Sequence, residues 1–523
     1  MDSVFINGDV ITMDPRRPRA EALAVRGAKI LTVGSNGDTM SAVSVDTQVR
    51  DLKGLCIVPG MVDSHLHLVG YGMSLRSIDL RGVRSIDEIK GAVRERLQSS
   101  TPGELIRGMG WDQERLVERR YPNKWDLDEA SPDNPVVLSR VCGHVICLSS
   151  KALELAGIDR NTPNPPGGEI QREQGSGEPT GILKEAGDLV WEKLPRPSEE
   201  DYLLCADSAC RELAMKGLTT VHFMSATWPE VKALHQLREE GRLPIRVRLY
   251  ANVEDLEKIE EGLVNDDVLK LCGVKVFMDG SLGGRTALLS EPYSDDSSTT
   301  GISVIIEERA RSTFEQVHRA GLQLAVHSIG DEATRRALDM LDAILKTYPP
   351  SDHRHRIEHA SVLTPELMDK IKELNLVASV QPHFVISDFW AVSRVGSGRA
   401  GGVYAFKSLR QKGIVTPAGS DCPVEPPSPL LGIEAAVARG EREGIELGNL
   451  TPGEKLSPDE ALQMYTEWGG YATHEEGKIG VLREGSFADF VGLSMDPLSC
   501  APDELRSILV RLTVVGGRVV HES

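Results

Sequence analysis

The sequence is poor in positive charge and has no apolar run long enough to cross a bilayer. Its formal net charge at pH 7 is −19 over 523 residues. Nucleic acid duplexes and anionic membrane surfaces bind basic protein faces, so this charge argues against either as the main partner. The first residues, MDSVFINGDVITMDP, lack the basic and apolar regions of a signal peptide. We therefore expect a cytoplasmic protein.

Cysteine is also sparse. The chain lacks paired CxxC cysteines and the GxSxG motif of serine hydrolases. The eight cysteines form no CxxC pair, which favours free thiols in a reducing compartment over a disulfide framework. No GxSxG elbow occurs, and Cys422 has no obvious base partner. A serine or cysteine hydrolase is therefore not supported.

Short strand-like segments with glycine turns occupy both ends of the chain. Examples are VFINGDVIT near the start and SILVRLTVVGGRVVHES at the end, where Gly516 and Gly517 are placed as a hairpin turn. The pattern predicts one small β domain built from residues 1–58 and 474–523.

Between these ends, apolar β-branched runs alternate with amphipathic helical patterns, which is typical of a parallel sheet with crossover helices. Eight such runs can be counted. They are LCIVPGMVDSHLH, LTTVHFM (218–224), IRVRLYA (245–251), CGVKVFMD (272–279), LQLAVHS (322–328), RHRIEHA (354–360), LVASVQPHF (376–384) and IVTPAGSD (414–421). Eight β/α units predict an α/β fold of the (β/α)8 TIM-like barrel type over residues 59–473.

Residues 70 to about 197 do not follow this alternation and contain a stretch rich in proline and glycine, NTPNPPGGEIQREQGSGEPTG. We interpret them as an insertion after the first barrel strand. Loops that leave the carboxyl end of a barrel strand lie on the substrate-binding face, so the insertion is expected to cover the active-site mouth.

His65 and His67 stand at the end of the first run, with one residue between them. Side chains alternate along a strand, so both project to the same face and could hold one metal ion. The pair alone is weak evidence. More polar residues end later runs, however, and the carboxyl ends of barrel strands converge on one mouth. These residues are Lys275 on the fourth run, His327 on the fifth, His359 on the sixth and Asp421 on the eighth.

This order of residues resembles the metal-dependent amidohydrolase superfamily, in which a β-sandwich is built from both chain ends. The motifs VPGMVDSHLH, VKVFMDGSLGGRTA, AVHSIGD, RIEHA and GSDCPVEPPSP are similar to those of the amidohydrolase-3 subgroup, which includes N-substituted formamide deformylases. The resemblance covers nearly the whole chain. It implies hydrolysis of a non-peptide C–N bond, as in a linear amide or formamide, by a metal-activated water.

The resemblance also implies roles for the strand-end residues. His65 and His67 would hold one divalent ion, most simply zinc, together with Asp421. His327 and His359 would hold a second ion, and Lys275 would bridge the two as an N-carboxylated lysine. One or two ions per subunit are both compatible with the subgroup. Asp421 would take the proton of the water and deliver it to the leaving nitrogen.

Four further residues are candidate substrate contacts. His144 and Trp111 lie in the insertion, where a structural role for Trp111 is the alternative. His383 ends the seventh run and is expected to face the mouth. Arg285 follows the fourth run and could bind a substrate carboxylate or carbonyl, or anchor its own loop by a salt bridge. The role of His222, at the end of the second run, stays open.

Two other functions are compatible with the same residues. A deaminase of the superfamily would act on a cyclic amidine, but such enzymes typically carry a glutamate three residues after the histidine of strand five, where this chain has Gly330. A catalytically silent scaffold would usually lack metal ligands, and none is missing here. The expected partner is a small-molecule substrate, with no nucleic acid and no membrane, and a homodimer is an open alternative to a monomer.

Overall fold

A parallel sheet of seven strands forms the centre of the protein. The computed structural model describes residues 2–44, 47–191, 193, 197–263, 265–349 and 352–523. Neighbouring strands in the central sheet follow one another in the chain, and all pairs are parallel. The strands are Met61–Leu66, Leu218–Ala226, Arg246–Ala251, Leu269–Phe277, Gln323–Ser328, Arg356–His359 and Val377–Ser379. We number them barrel strands one to seven.

The predicted eighth run lies between barrel strands seven and one and links them by backbone hydrogen bonds. Val380 donates to Pro417 O at 3.0 Å on one side. On the other side Ser64 donates to Ala418 O at 2.9 Å, and Asp421 donates to His65 O at 2.7 Å. The segment forms isolated parallel bridges instead of a regular strand, because Pro417 has no N–H for a continuous ladder. The barrel sheet is thereby nearly closed.

Helices separate the barrel strands, as the amphipathic patterns predict. Those between strands two and seven are Trp228–Glu239, Leu256–Gly262, Glu307–Arg319, Asp331–Thr347 and Pro365–Glu373, and Glu199–Met215 precedes strand two. The helices after strand seven are Phe384–Ser387, Ala391–Val395, Phe406–Gln411, Pro429–Ala438, Glu446–Leu450, Pro458–Met464 and Glu467–Ala472. Short 3-10 helices cover Ala400–Gly402, Pro452–Glu454 and Pro502–Ser507.

The seventh predicted run is longer than the strand it becomes. The run extends to residue 384, but the strand ends at Ser379, and Phe384–Ser387 is helical. Pro382 cannot donate to a ladder, which limits the strand at this end. His383 therefore lies just before a helix and not at a strand end.

Two further sheets are built from the chain ends. One contains Lys29–Gly34, Ala22–Arg26, Ser3–Ile6 and Gln48–Asp51, in that order, with the helix Asn36–Ser41 beside it. The other contains Arg518–Glu522, Val510–Val515, Phe490–Leu493, Cys56–Pro59, Asp9–Ile11 and Arg19–Ala20. A separate apolar cluster contains residues from both chain ends. Within it, the ring centroids of Phe5 and Phe490 are 4.8 Å apart.

The segment after barrel strand one forms a six-stranded sheet with helices on both faces. Alternate residues of one strand point to opposite sides: Val136 and Leu138 belong to one apolar cluster, and Val137 belongs to another. The strands, in spatial order, are Glu169–Arg172, Pro179–Lys184, Val145–Leu148, Val136–Arg140, Ile106–Trp111 and Ile78–Asp79. The helices are Leu68–Leu75, Ile86–Leu97, Lys124–Ala130, Ser150–Ala156 and Asp188–Trp191.

Two general expectations concern the cysteines and membrane-spanning helices. All eight cysteines lie in the described ranges, and each is a free thiol. Among the described residues, no helix combines the length and the apolar character that a membrane crossing requires.

Candidate metal centre

Three side chains at the carboxyl end of the barrel bring their ligand atoms within 4.8 Å of one another: His65, His67 and Asp421. Asp421 Oδ1 lies 3.5 Å from His65 Nε2 and 3.2 Å from His67 Nε2. This buried oxygen forms no hydrogen bond with the described residues. Two imidazole nitrogens and one carboxylate oxygen that face one another fit a divalent cation, and zinc prefers such donors.

Hydrogen bonds at the far side of both rings determine which nitrogens are free to bind an ion. His65 Nδ1 lies 2.5 Å from Glu358 Oε2, and His67 Nδ1 lies 3.2 Å from the carbonyl oxygen of Met224. Both partners only accept, so each Nδ1 carries the proton. The lone pair of each Nε2 then points toward Asp421, as it does in metal-binding histidines.

The protonation states favour ligation at neutral pH. Burial opposes the charged form of Asp421, but the nearby histidines and Lys275 outweigh it and lower the pKa of Asp421 to about 2. Burial, together with the charge of Lys275, lowers the pKa of His65 to about 4. Asp421 is therefore a carboxylate and His65 a neutral imidazole, which are the forms that bind a cation.

His327 and His359 lie beside this group, as the sequence predicts. The ring of His359 is 4.4 Å from that of His327 and 4.7 Å from that of His65, measured between centroids. His359 Nδ1 faces Gln381 Oε1 at 2.8 Å, and His327 Nε2 faces Gly280 O at 3.1 Å. Each ring thus keeps one nitrogen free. His359 and Asp421 have positive φ angles of 72° and 57°, a strained conformation that often accompanies functional sites.

Lys275 reaches the same centre from barrel strand four. Its side chain is buried, as the apolar run around it predicts, and its Nζ lies 3.1 Å from His65 Nε2. Burial lowers the pKa of Lys275 to about 8, because an ammonium is poorly solvated there. The neutral form of this amine is therefore far more populated near neutral pH than it is in an exposed lysine.

A cavity of about 250 Å³ opens above the centre. His327, His359 and Asp421 form its floor, and both His144 and His383 line it. His144 Nδ1 pairs with Glu185 Oε2 at 2.8 Å. His383 Nδ1 pairs with Glu425 Oε2 at 2.5 Å. These two imidazoles are therefore placed to contact a substrate. The rest of the wall combines two kinds of side chain. The apolar ones are Val141, Leu282, Ile329, Phe384, Ile386, Trp390 and Val424, and the charged ones are Arg81, Asp112, Arg115, Arg140, Asp388 and Glu425.

Two of the predicted substrate contacts do not line this cavity. Trp111 is completely buried in an apolar cluster of the insertion, and its indole N–H donates to Leu138 O at 3.0 Å. We therefore correct its assignment from substrate contact to packing. Arg285 pairs with Asp295, with its Nη2 2.9 Å from Oδ2, so the structure favours the loop-anchoring alternative for this arginine.

Several residues that support the ligands were not singled out from the sequence. Glu358 contacts His65, and Arg356 pairs with Glu358 in the same strand. Asp63 accepts the backbone N–H of His65 at 3.0 Å and a hydrogen bond from the hydroxyl of Ser420 at 2.6 Å. Glu358, Arg356 and Asp63 lie in the motifs MVDSHLH and RIEHA, one to three residues from a candidate ligand. Their closeness to the candidate ligands in the sequence was a signal. The sequence pattern, however, does not distinguish these buried charged residues from charged residues at the surface.

The His144–Glu185 pair predicts a pH dependence of stability. Burial opposes the charged imidazole, but the hydrogen bond and charge of Glu185 outweigh it and raise the pKa of His144 to about 9. A raised pKa means that the pair stabilises the fold fully below about pH 6.5, the ordinary histidine value, and loses this contribution as pH rises through about 9.

Urea unfolding at pH 6.5 and pH 9.5 measures this contribution. The wild type is expected to lose more stability over this interval than a Glu185→Gln variant, in which the charge of the partner is absent. Equal losses in both proteins would contradict the assignment of a charged His144.

A parallel barrel whose strand ends hold histidines, a buried lysine and an aspartate around one cavity is the arrangement of a metal-dependent hydrolase. The chain belongs to the amidohydrolase family, whose family model matches residues 48–521. The predicted resemblance is thereby confirmed.

Individual relatives agree with this assignment over the full length. A putative amidohydrolase, YtcJ, from Bacillus subtilis is 36% identical over 532 residues, and the match covers 100% of both chains. An N-substituted formamide deformylase from Arthrobacter pascens is 26% identical and covers 100% of this chain and 98% of its own. The crystal structure of an uncharacterized metal-dependent hydrolase from Pyrococcus horikoshii is 34% identical, with a TM-score of 0.81, over 96% of this chain and 99% of its own.

Proposed function

We propose that this protein hydrolyses a non-peptide C–N bond of a small linear amide, with formamide-like compounds as the first substrates to test. The observation that carries the proposal is the set of facing donor atoms of His65, His67 and Asp421, of which Asp421 lines the cavity. The similarity to a formamide deformylase over nearly the whole length of both chains supports the choice of bond.

A divalent ion, for which we propose zinc, would be held by His65, His67 and Asp421, and a second by His327 and His359. When bound, such an ion supplies Lewis acidity toward water and a carbonyl oxygen. Oδ1 of Asp421 faces the two imidazoles, which leaves Oδ2 to accept the proton of the attacking water. The same carboxylate then gives that proton to the leaving nitrogen.

The cavity wall supplies the substrate contacts. His144 is held by Glu185 and is protonated at neutral pH, since its pKa is raised to about 9. Its Nε2–H can donate to a substrate carbonyl or substituent. His383, held by Glu425, can donate in the same way. The apolar side chains around them suit the apolar part of a compact substrate.

Carboxylation of Lys275 is part of the proposal. The lone pair of the neutral amine can attack CO2 to form a carbamate with loss of one proton, and a lowered pKa makes that neutral form available. The product would carry a negative charge between the two pairs of histidines. The free lysine instead places its Nζ against His65 Nε2, where it competes with an ion for the lone pair.

The chain ends and the cysteines support two further proposals. We propose that the two sheets of the chain ends form a composite β-sandwich domain, because they share one apolar cluster. The eight free thiols support a cytoplasmic location. A small-molecule substrate is the proposed partner, and a homodimer stays a prediction.

A substrate panel with metal analysis tests the proposed function. N-formyl, N-acyl and carbamate compounds are incubated with the purified protein, and bound metal is quantified in the same preparation. We expect hydrolysis of one linear amide class, its loss after chelation and dialysis, and its return when zinc is added. Turnover of cyclic amidines alone would indicate a deaminase. A protein that binds no zinc and hydrolyses nothing would indicate a scaffold.

A further inference from the structure

A pair of opposite charges is buried inside the barrel directly behind the metal centre. Arg356 and Glu358 lie two residues apart on barrel strand six, and both side chains are 0% exposed. Arg356 Nε donates to Glu358 Oε1 at 2.6 Å, and Nη2 donates to Oε2 at 3.1 Å. Barrel interiors are usually filled with branched apolar side chains, and a buried ion pair adds little to stability by itself. The pair therefore calls for another explanation.

The guanidinium of Arg356 is held from several neighbouring strands. Its Nη1 donates to Tyr250 Oη and to His222 Nδ1, both at 2.9 Å. Its Nη2 donates to Ser64 O at 2.6 Å and to Ser379 Oγ at 3.0 Å. These contacts fix the orientation of Arg356, and through it the carboxylate of Glu358. They also give His222 a structural role.

The carboxylate of Glu358 is aimed at one metal ligand. Its Oε2 lies 2.5 Å from His65 Nδ1. The other three ligand histidines form hydrogen bonds with uncharged groups: a carbonyl oxygen for His67, a carbonyl oxygen for His327 and the amide of Gln381 for His359. The carboxylate of Asp279 lies farther from His327, with Oδ1 3.5 Å from Nε2, and its oxygens accept backbone N–H groups instead. A negatively charged partner makes an imidazole a stronger donor to a metal than a neutral partner does. The centre is therefore asymmetric.

We propose that Glu358, oriented by Arg356, is a positioning residue that makes His65 the strongest imidazole donor of the centre, so that the His65–His67–Asp421 group binds a divalent ion more tightly than the His327–His359 pair. The inference rests on the metal centre of the proposed function and is independent of the substrate. It predicts two separable steps of metal binding.

The test is a Zn²⁺ titration of the metal-free full-length protein against a chelating dye, followed by the visible spectrum of the protein with Co²⁺. In the wild type we expect one tight and one weaker step. Glu358→Gln should weaken the tight step by about 10- to 100-fold and leave the weaker step in place. Gln381→Leu is the matched variant on the other side, because it removes the partner of His359, and it should affect the weaker step alone.

A double variant separates positioning from folding. Glu358→Gln leaves the buried Arg356 without its counter-charge, which can destabilise the barrel. Arg356→Met combined with Glu358→Gln removes both charges together. We expect its thermal unfolding temperature to recover while the tight step stays weakened. Recovery of both would show a merely structural role and would overturn the inference.

Other outcomes also decide the question. An unchanged tight step in folded Glu358→Gln, or equal weakening of both steps, contradicts the inference, and so does a wild type that shows no tight step. If the tight step depends on Glu358 but the amide panel shows no hydrolysis, the proposed function fails and the inference stands. If the amide panel shows hydrolysis but the tight step does not depend on Glu358, the proposed function stands and the inference fails.

Discussion

Replacing Asp421 with asparagine is expected to lower kcat/KM for a hydrolysed amide by at least about 10²- to 10⁴-fold. The side chain supplies one of the three facing donor atoms and, in the proposed function, the proton acceptor. An asparagine amide is neutral and cannot take the proton. The measurement is steady-state hydrolysis with the zinc content determined on the same sample, so that loss of the ion is separated from loss of the base.

The matched control is Asp459→Asn, which removes an exposed carboxylate at the start of the helix Pro458–Met464. This variant should keep wild-type activity. His65→Ala should abolish hydrolysis together with metal binding, while circular dichroism shows a largely intact fold. Full activity in Asp421→Asn would rule out the assigned mechanism.

Replacing Asp489 with alanine is expected to destabilise the protein by about 3–5 kcal/mol. Asp489 precedes the strand Phe490–Leu493, and its carboxylate pairs with Arg246 at the start of barrel strand three. Arg246 Nε donates to Asp489 Oδ2 at 2.6 Å, and Nη2 donates to Oδ1 at 3.0 Å. The side chain of Asp489 is 2% exposed and that of Arg246 is 3% exposed. The substitution leaves a buried guanidinium without its counter-charge. Urea unfolding of metal-loaded protein measures the loss.

An exposed ion pair provides the comparison for this prediction. Arg309 Nη2 lies 3.0 Å from Glu254 Oε1, but the two side chains are 65% and 66% exposed. Water solvates and screens such a pair, so Glu254→Ala should change the free energy of unfolding by less than about 1 kcal/mol. Similar losses in the two variants would show that the Asp489 pair does not couple the C-terminal sheet to the barrel.

Much of the architecture could be predicted because its signals are local. Each barrel strand is an apolar run, and each crossover helix shows apolar residues at three and four spacing. Once the runs are numbered, the ends that carry His65, Lys275, His327, His359 and Asp421 must converge. The fold brings the same residues together. The limits of local signals appear at the seventh and eighth runs, where prolines shorten one strand and interrupt the other.

The predicted substrate contacts also show what local sequence signals cannot decide. An apolar aromatic such as Trp111 suits a pocket wall or a core equally well, and only the surrounding cluster identifies it as core. Arg285 could bind a ligand or a carboxylate of the protein. The choice depends on Asp295, whose position relative to Arg285 is set by the folding of the loop between them.

The sequence by itself determined the barrel-type fold, the order of the candidate metal ligands and the family. Strand periodicity and motif spacing are properties of neighbouring residues, so they can be read before folding is known. Only the tertiary structure decided which carboxylate supports which ligand. Glu358 and His65 are 293 residues apart, and Asp489 and Arg246 are 243 apart. Such pairs form because the closing of the barrel brings distant segments together. Each buried charge then has a partner that no local sequence pattern predicts.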